Sequence, residues 1–296
     1  MRHPNPEMLV RIAQGDACGI ATEFIALPEH QAAKETAMRL DAYCQHPTFA
    51  GVRPGQYTDD TQMTIAVAEV LLADGPPTRE RFADAFVDCF KRDPRQGYAP
   101  RFQTFLETIG SGSELLSAIR ADSDKNGAAM RAVPIGVLPT IDEVREVATV
   151  QARVTHDTEG GITSSVAVAL MSHYALWTDA PLRELRAWLK THLPRVPDDA
   201  WPGDPVDGSD LGFKTAMAVL TLVESKSSLL EIARTGIDWG GDTDSVVSIA
   251  WGIASTRMRE PLPRFFDDDL ERGPYGREFL AKLGEKLMRV TRDASA

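Results

Sequence analysis

Apolar residues recur along this chain at i, i+3 and i+4 far more often than in strand-like alternation, a pattern that predicts an all-α protein. The same periodicity predicts helices over 7–14, 61–74, 79–92, 101–109, 113–121, 127–138, 141–153, 161–177, 182–193, 210–224, 228–235, 243–257 and 276–290. Several ends carry their own chemistry. Thr140 with Glu143, and Ser228 with Glu231, fit the capping box, in which each side chain satisfies the other's orphan N–H. Asp74-Gly75-Pro76-Pro77 stops the helix before it, since proline cannot continue the hydrogen-bond ladder. The breaker-rich stretch 194–210 reads as a surface loop rather than a domain linker, because the most chemically suggestive segments lie on either side of it and would have to meet.

The longest apolar stretches, such as "SSVAVALMSHYAL" at 164–176, fall short of the roughly 20 residues needed to cross a bilayer, so no membrane span is predicted. At 296 residues and 43% hydrophobic, the chain can bury a large core, and one domain over 1–296 is the expectation. A net charge of -11, from 43 acids against 32 bases, argues against binding nucleic acid through a basic face. Cys18, Cys44 and Cys89 have neither zinc nor disulfide spacing and read as reduced thiols. The first residues lack the pattern of a secretory signal, which makes a cytoplasmic protein the default expectation. A monomer is expected.

Charge changes the picture most at two helix starts. "QYTDDTQMTIAVAEVLL", 56–72, sets adjacent carboxylates before an apolar helix, and "WGGDTDSVVSIAWGIAS", 239–255, repeats the grammar near the other end. A helix N-terminus welcomes one acid through its unpaired amides and macrodipole, and "TDDT" alone reads as a cap with a spare acid. Two acids need a further reason. Hard divalent ions take carboxylate and hydroxyl oxygens, and Gly240-Gly241 lets the backbone turn tightly with no Cβ in the way. Brought together, Asp59, Asp60, Asp242 and Asp244 repel strongly unless protons or metal intervene, and two divalent ions would supply the missing positive charge. An EF-hand is excluded, because the residues after Asp244 lack its glycine and terminal glutamate.

These motifs carry a resemblance. "GDACGIATEF" at 15–24, "YTDDTQM" at 57–63, "NGAAMR" at 126–131, "VTHDTEG" at 154–160 and "GGDTDSV" at 240–246 occur in the order found in the ADP-ribosylglycohydrolase family. That family includes the dinitrogenase-reductase-activating glycohydrolases and the ADP-ribosylarginine and ADP-ribosylserine hydrolases. The resemblance implies a compact orthogonal multi-helix bundle with two Mg²⁺ or Mn²⁺ ions at the base of a cleft that takes ADP-ribose. Thr58, Asp59 and Asp60 match the first ligand group, and Asp242, Asp244 and Ser245 the second, Ser245 standing where some members have threonine. Glu23 matches a glutamate that sits at or gates the metals. Asn126 and Gly127, with Ser123 beside them, match the loop around the diphosphate and ribose, and His156 matches a histidine contacting ADP-ribose. Gly240 and Gly241 border the same cleft, and Tyr98 follows a glycine found near the site of some relatives, though a half-buried structural aromatic is an equal reading.

The activity so implied is hydrolysis of the bond between ADP-ribose and a modified protein side chain, arginine first among the candidates, with Asp59 or Asp60 as acid/base and Glu23 second. Phe102-Gln103-Thr104-Phe105 stands where the arginine-specific bacterial pattern has Cys-Phe-Asp, which leaves the linkage open. Two rivals remain: a metal-dependent hydrolase of a free nucleotide or phosphoester, which would release AMP, and a non-catalytic member, a binding or structural protein that keeps the fold without the chemistry.

Overall fold

The computed structural model describes residues 1–193, 196, 201 and 210–290. Its helices are, in order, α1 (Met8–Gly19), α2 (Gln31–Ala37), α3 (Asp59–Leu72), α4 (Arg79–Arg92), α5 (Pro100–Thr108), α6 (Gly112–Ala118), α7 (Gly127–Met130), α8 (Ile141–Ala152), α9 (Glu159–Trp177), α10 (Leu185–His192), α11 (Gly212–Ser225), α12 (Leu229–Trp239), α13 (Thr243–Ala254), α14 (Phe265–Asp268) and α15 (Arg277–Leu287). Among the described residues there is no β-strand, and extended backbones pair only in isolated bridges, Asp122 with His156 and Lys125 with Leu211. The all-α expectation holds.

A helix that is apolar on every face must sit inside the protein, and two helices meet that condition. Every residue of α13 is buried, and α9 is buried without interruption from Ser164 to Leu176. Around α9 pack α7, α8 and α11, while α13 lies against α1, α11 and α12. The approach of α1 to α13 is set by small residues. A Cβ added to Gly15 would stand 2.9 Å from the Cα of Ser248, and one on Gly19 would run into the Cα of Asp244. Gly15 therefore does not end the first helix, as the spacing over 7–14 predicts; it lets α1 continue to Gly19 in close contact with α13.

Other departures have local causes. The single helix expected over 127–138 is split into the one-turn α7 and a 3₁₀ turn, Val133–Val137, because Pro134 interrupts the ladder. Residues 182–193 likewise divide into a 3₁₀ turn, Leu182–Glu184, and α10. The helix expected over 228–235 runs on to Trp239 and stops at Gly240, whose φ of 75° an L side chain resists. Helix α2 escapes the periodicity, since Ala37 is the one residue of "QAAKETA" that is buried. Both arms of the capping box form at Thr140 and Glu143. At Ser228 only half forms: its side chain accepts from Glu231 N, but the Glu231 carboxylate turns to Ser227. The loop expected over 194–210 lies outside the described residues, apart from Val196, Trp201 and Asp210. Among the described residues no helix is long and apolar enough to cross a membrane.

Candidate metal centre

The site begins with a carboxylate that the sequence reading gave no role. Asp16, fully buried on α1, accepts from the backbone N–H of Thr58 at 3.0 Å and of Thr61 at 3.0 Å, and from their hydroxyls at 2.8 and 2.6 Å. It thereby caps α3 from another helix. Thr58 makes no side-chain cap of its own, because its hydroxyl donates to Asp16. This fixes the first turn of α3, with Asp59 and Asp60 buried at its mouth. Gly97, with φ of 112°, backs against Asp59; a Cβ there would run into the Asp59 Oδ1. Asp60 Oδ1 accepts at 3.3 Å from the hydroxyl of Ser248 on α13, one turn beyond Asp244, so the heads of α3 and α13 come together.

The second turn is held differently. Gly240 and Gly241, both with φ near 75°, lead into α13. Thr243 anchors the start of that helix by donating to the Gly19 carbonyl at 2.7 Å, and Phe24 N–H donates to the Gly241 carbonyl at 2.8 Å. The latter bond brings the preceding residue, Glu23, to the acids: ligand atoms of Glu23, Asp242 and Asp244 lie within 4.8 Å of one another. Asp242 Oδ2 accepts from Asn126 Nδ2 at 2.9 Å, but Asp242 Oδ1 and Asp244 Oδ1 are buried with no hydrogen-bond partner. Buried polar atoms are almost always satisfied, and bare carboxylate oxygens are the donors a hard cation takes.

Electrostatics point the same way. Burial pushes Asp59, Asp60 and Asp244 well above the ordinary carboxylate range, and their mutual repulsion with Asp16, Asp242 and Glu23 adds to it. Glu23, only half buried, is raised to about 8 by burial and by Asp242 and Asp16. Asp16 is raised by burial, which its hydrogen bonds partly offset. So many acids can remain ionised together only if cations offset them. The carboxylates of Glu23, Asp242 and Asp244 fit a divalent metal ion, and Asp59 and Asp60 lie near enough to feel their charge.

A model of the family described as ADP-ribosylglycohydrolase matches residues 8–296. The chain belongs to this family. It is 31% identical over 151 residues to the ADP-ribosylhydrolase ARH3 of Xenopus tropicalis, a match covering 48% of this chain and 43% of that protein. It is 27% identical over 166 residues to human ADP-ribosylhydrolase ARH3, covering 53% of this chain and 45% of the other. These matches span about half the length of either ADP-ribosylhydrolase. An uncharacterized protein of Archaeoglobus fulgidus is 27% identical over 300 residues, with 94% of each chain covered. The solved structure of an ADP-ribosylglycohydrolase-related protein complex has the same fold, with a TM-score of 0.73, 22% identity and 97% of both chains aligned.

Of the residues that the family resemblance assigns to substrate, Asn126 bonds one of the acids directly. Asn126, the residue before α7, bonds Asp242 and the Thr215 hydroxyl rather than capping its own helix. Gly127 faces His156; a Cβ on it would stand 2.8 Å from the imidazole Cε1. Ser123 is half buried in the adjoining loop, where its carbonyl accepts from Thr158 at 3.1 Å. Tyr98 is buried, packed edge-on to Phe90, and its hydroxyl donates to Gln62 Oε1 at 2.7 Å. Sequence reasoning missed Asp16 although its motif was in view, since nothing local marks an acid that caps a helix some forty residues away.

Proposed function

We propose that this chain is a divalent-metal-dependent ADP-ribosylglycohydrolase that frees a modified protein side chain from ADP-ribose, reversing mono-ADP-ribosylation. The observation that carries this reading is the pair of partnerless buried oxygens of Asp242 and Asp244, beside Glu23, in a chain of this family. Two ions, Mg²⁺ or Mn²⁺, suit the number of carboxylates. When bound, they supply positive charge for ribose hydroxyls and diphosphate and lower the pKa of a water.

The bond to be cut joins C1″ of the ribose to the side chain. It breaks with its electron pair on the leaving atom, through an oxocarbenium-like state, and water adds to C1″ while losing a proton. The acid/base role falls among Asp59, Asp60 and Glu23. Glu23 has the best access, being half buried where Asp59 and Asp60 are enclosed. Asn126 holds Asp242 in place, while Gly127, Ser123 and His156 line the approach for ADP-ribose. Arginine is the first linkage to test, because a guanidine that recovers its proton is a fair leaving group. The continuous core from Met8 to Met288 supports a single domain.

Incubation with arginine- and serine-ADP-ribosylated peptides, with Mg²⁺ or Mn²⁺ and with chelator, tests the proposal. Metal-dependent release of intact ADP-ribose is expected. Release of AMP would make it a phosphoester hydrolase, and ADP-ribose binding without turnover would make it a non-catalytic member.

A further inference from the structure

Arg131 is a buried cation with no ion pair among the described residues. It stacks 4.3 Å from the Phe86 ring centroid and donates from Nε to Gln151 Oε1 at 2.6 Å. Its Nη2 donates to the Thr155 hydroxyl at 2.8 Å, and that hydroxyl lies 2.7 Å from His156 Nδ1. Burial lowers Arg131 to about 9, still above neutrality, so it stays charged and can only donate.

Hydrogen-bond direction then settles the histidine. The Thr155 oxygen is an acceptor toward Arg131. Were it also to accept from an Nδ1–H, its own buried proton would have no acceptor, at a cost of about 1–3 kcal/mol. The hydroxyl therefore donates to Nδ1, and the imidazole proton sits on Nε2. Nε2 takes part in no hydrogen bond among the described residues and lies beside Gly127, on the side of the loop that carries Asn126. We infer that Arg131 and Thr155 are positioning residues that hold His156 as the Nε2–H tautomer, so that it offers an N–H donor to an oxygen of ADP-ribose. Burial and the Arg131 charge hold the His156 pKa down to about 3, in keeping with a neutral ring. This inference rests on the reading of His156 as an ADP-ribose contact, and its test separates the two.

The test is long-range ¹H–¹⁵N correlation of the His156 ring in the whole chain, free and titrated with ADP-ribose, for the wild type, Thr155→Ser and Thr155→Val. The wild type is expected to show the Nε2–H pattern before ligand is added, and Nε2 is expected to shift on binding. Thr155→Ser keeps both, whereas Thr155→Val loses the single tautomer and weakens ADP-ribose by about tenfold. An Nδ1–H pattern in the wild type overturns the inference even if the valine variant does not fold. So does a folded valine variant with unchanged tautomer and affinity. Failure of the wild type to bind ADP-ribose would instead remove the functional reading and leave the tautomer assignment standing.

Discussion

The two acidic turns share one grammar, a pair of carboxylates at the head of an apolar helix, yet the chain holds them in opposite ways. At α3 the backbone is the satisfied party: Asp16 gathers two N–H groups and two hydroxyls and locks the turn without any ion. At α13 no residue plays that part. Asp242 receives one bond from Asn126, and one oxygen each of Asp242 and Asp244 is left bare. One turn is closed by hydrogen bonds, and the other keeps bare oxygens of the kind a hard cation takes. The contrast separates acids that hold the fold from acids that hold charge, a distinction no motif expresses.

The largest effect expected is on the bare side. Asp244→Asn removes one of the bare carboxylate oxygens proposed to take a cation, so turnover should fall by about 10³-fold or more, the several kcal/mol that a bound metal would supply to a transition state. The same change should raise the melting temperature of the metal-free protein, because one of the mutually repelling acids is gone. In the wild type, Mg²⁺ or Mn²⁺ at about a hundred times its Kd should add about 2.7 kcal/mol of stability that chelator removes. Thermal melts with and without chelator read both. If Asn lowers the metal-free melting temperature and keeps the response to cation, the bare oxygens are not metal donors.

On the bonded side the signs reverse. Asp16→Ala strands the Thr58 and Thr61 amides in a buried place and should cost about 3 kcal/mol or more, with or without divalent ion. Asp16→Asn keeps one acceptor oxygen and should recover part of it. Denaturant melts give the difference. A loss that appears only when cation is present would make Asp16 part of the metal site rather than a cap, and the comparison of the two turns would fail.

These two turns also show how far the sequence was legible. The periodicity found the long helices because α9 and α13 must be apolar all round, and the paired acids were visible because so much charge before a helix is unusual. What pairs across distance was not visible. Gly15 looks like a breaker until α13 lies 2.9 Å from where its Cβ would be, and Gly97 looks like a loop residue until Asp59 backs onto it. Tyr98 is open to two readings in the sequence, cleft residue or structural aromatic, because neither its packing on Phe90 nor its bond to the Gln62 amide is written in its neighbours. Helix α2 has almost no buried face, so no pattern announces it.

The smallest expected effect probes the border of the α13 turn, where His156 stands next to Gly127. Its folded pKa of about 3 lies below the ordinary 6.5, so the unfolded chain takes up the proton first on acidification. The contribution of neutral His156 is therefore whole above pH 6.5 and is lost progressively as pH falls toward 3. By pH 5, some 1.5 pH units below the unfolded pKa, the loss is at most about 2 kcal/mol. The crowded carboxylates act with opposite sign, since their folded pKa values are raised and acidification relieves their repulsion. The total slope thus mixes both, and the difference between wild type and His156→Gln isolates the histidine. Glutamine can accept from Thr155 and still offer an N–H, so the variant should lose less stability than the wild type between about pH 7 and 5. Parallel curves would mean that His156 is solvated enough to titrate normally, and the buried donor beside the α13 turn would be lost with it.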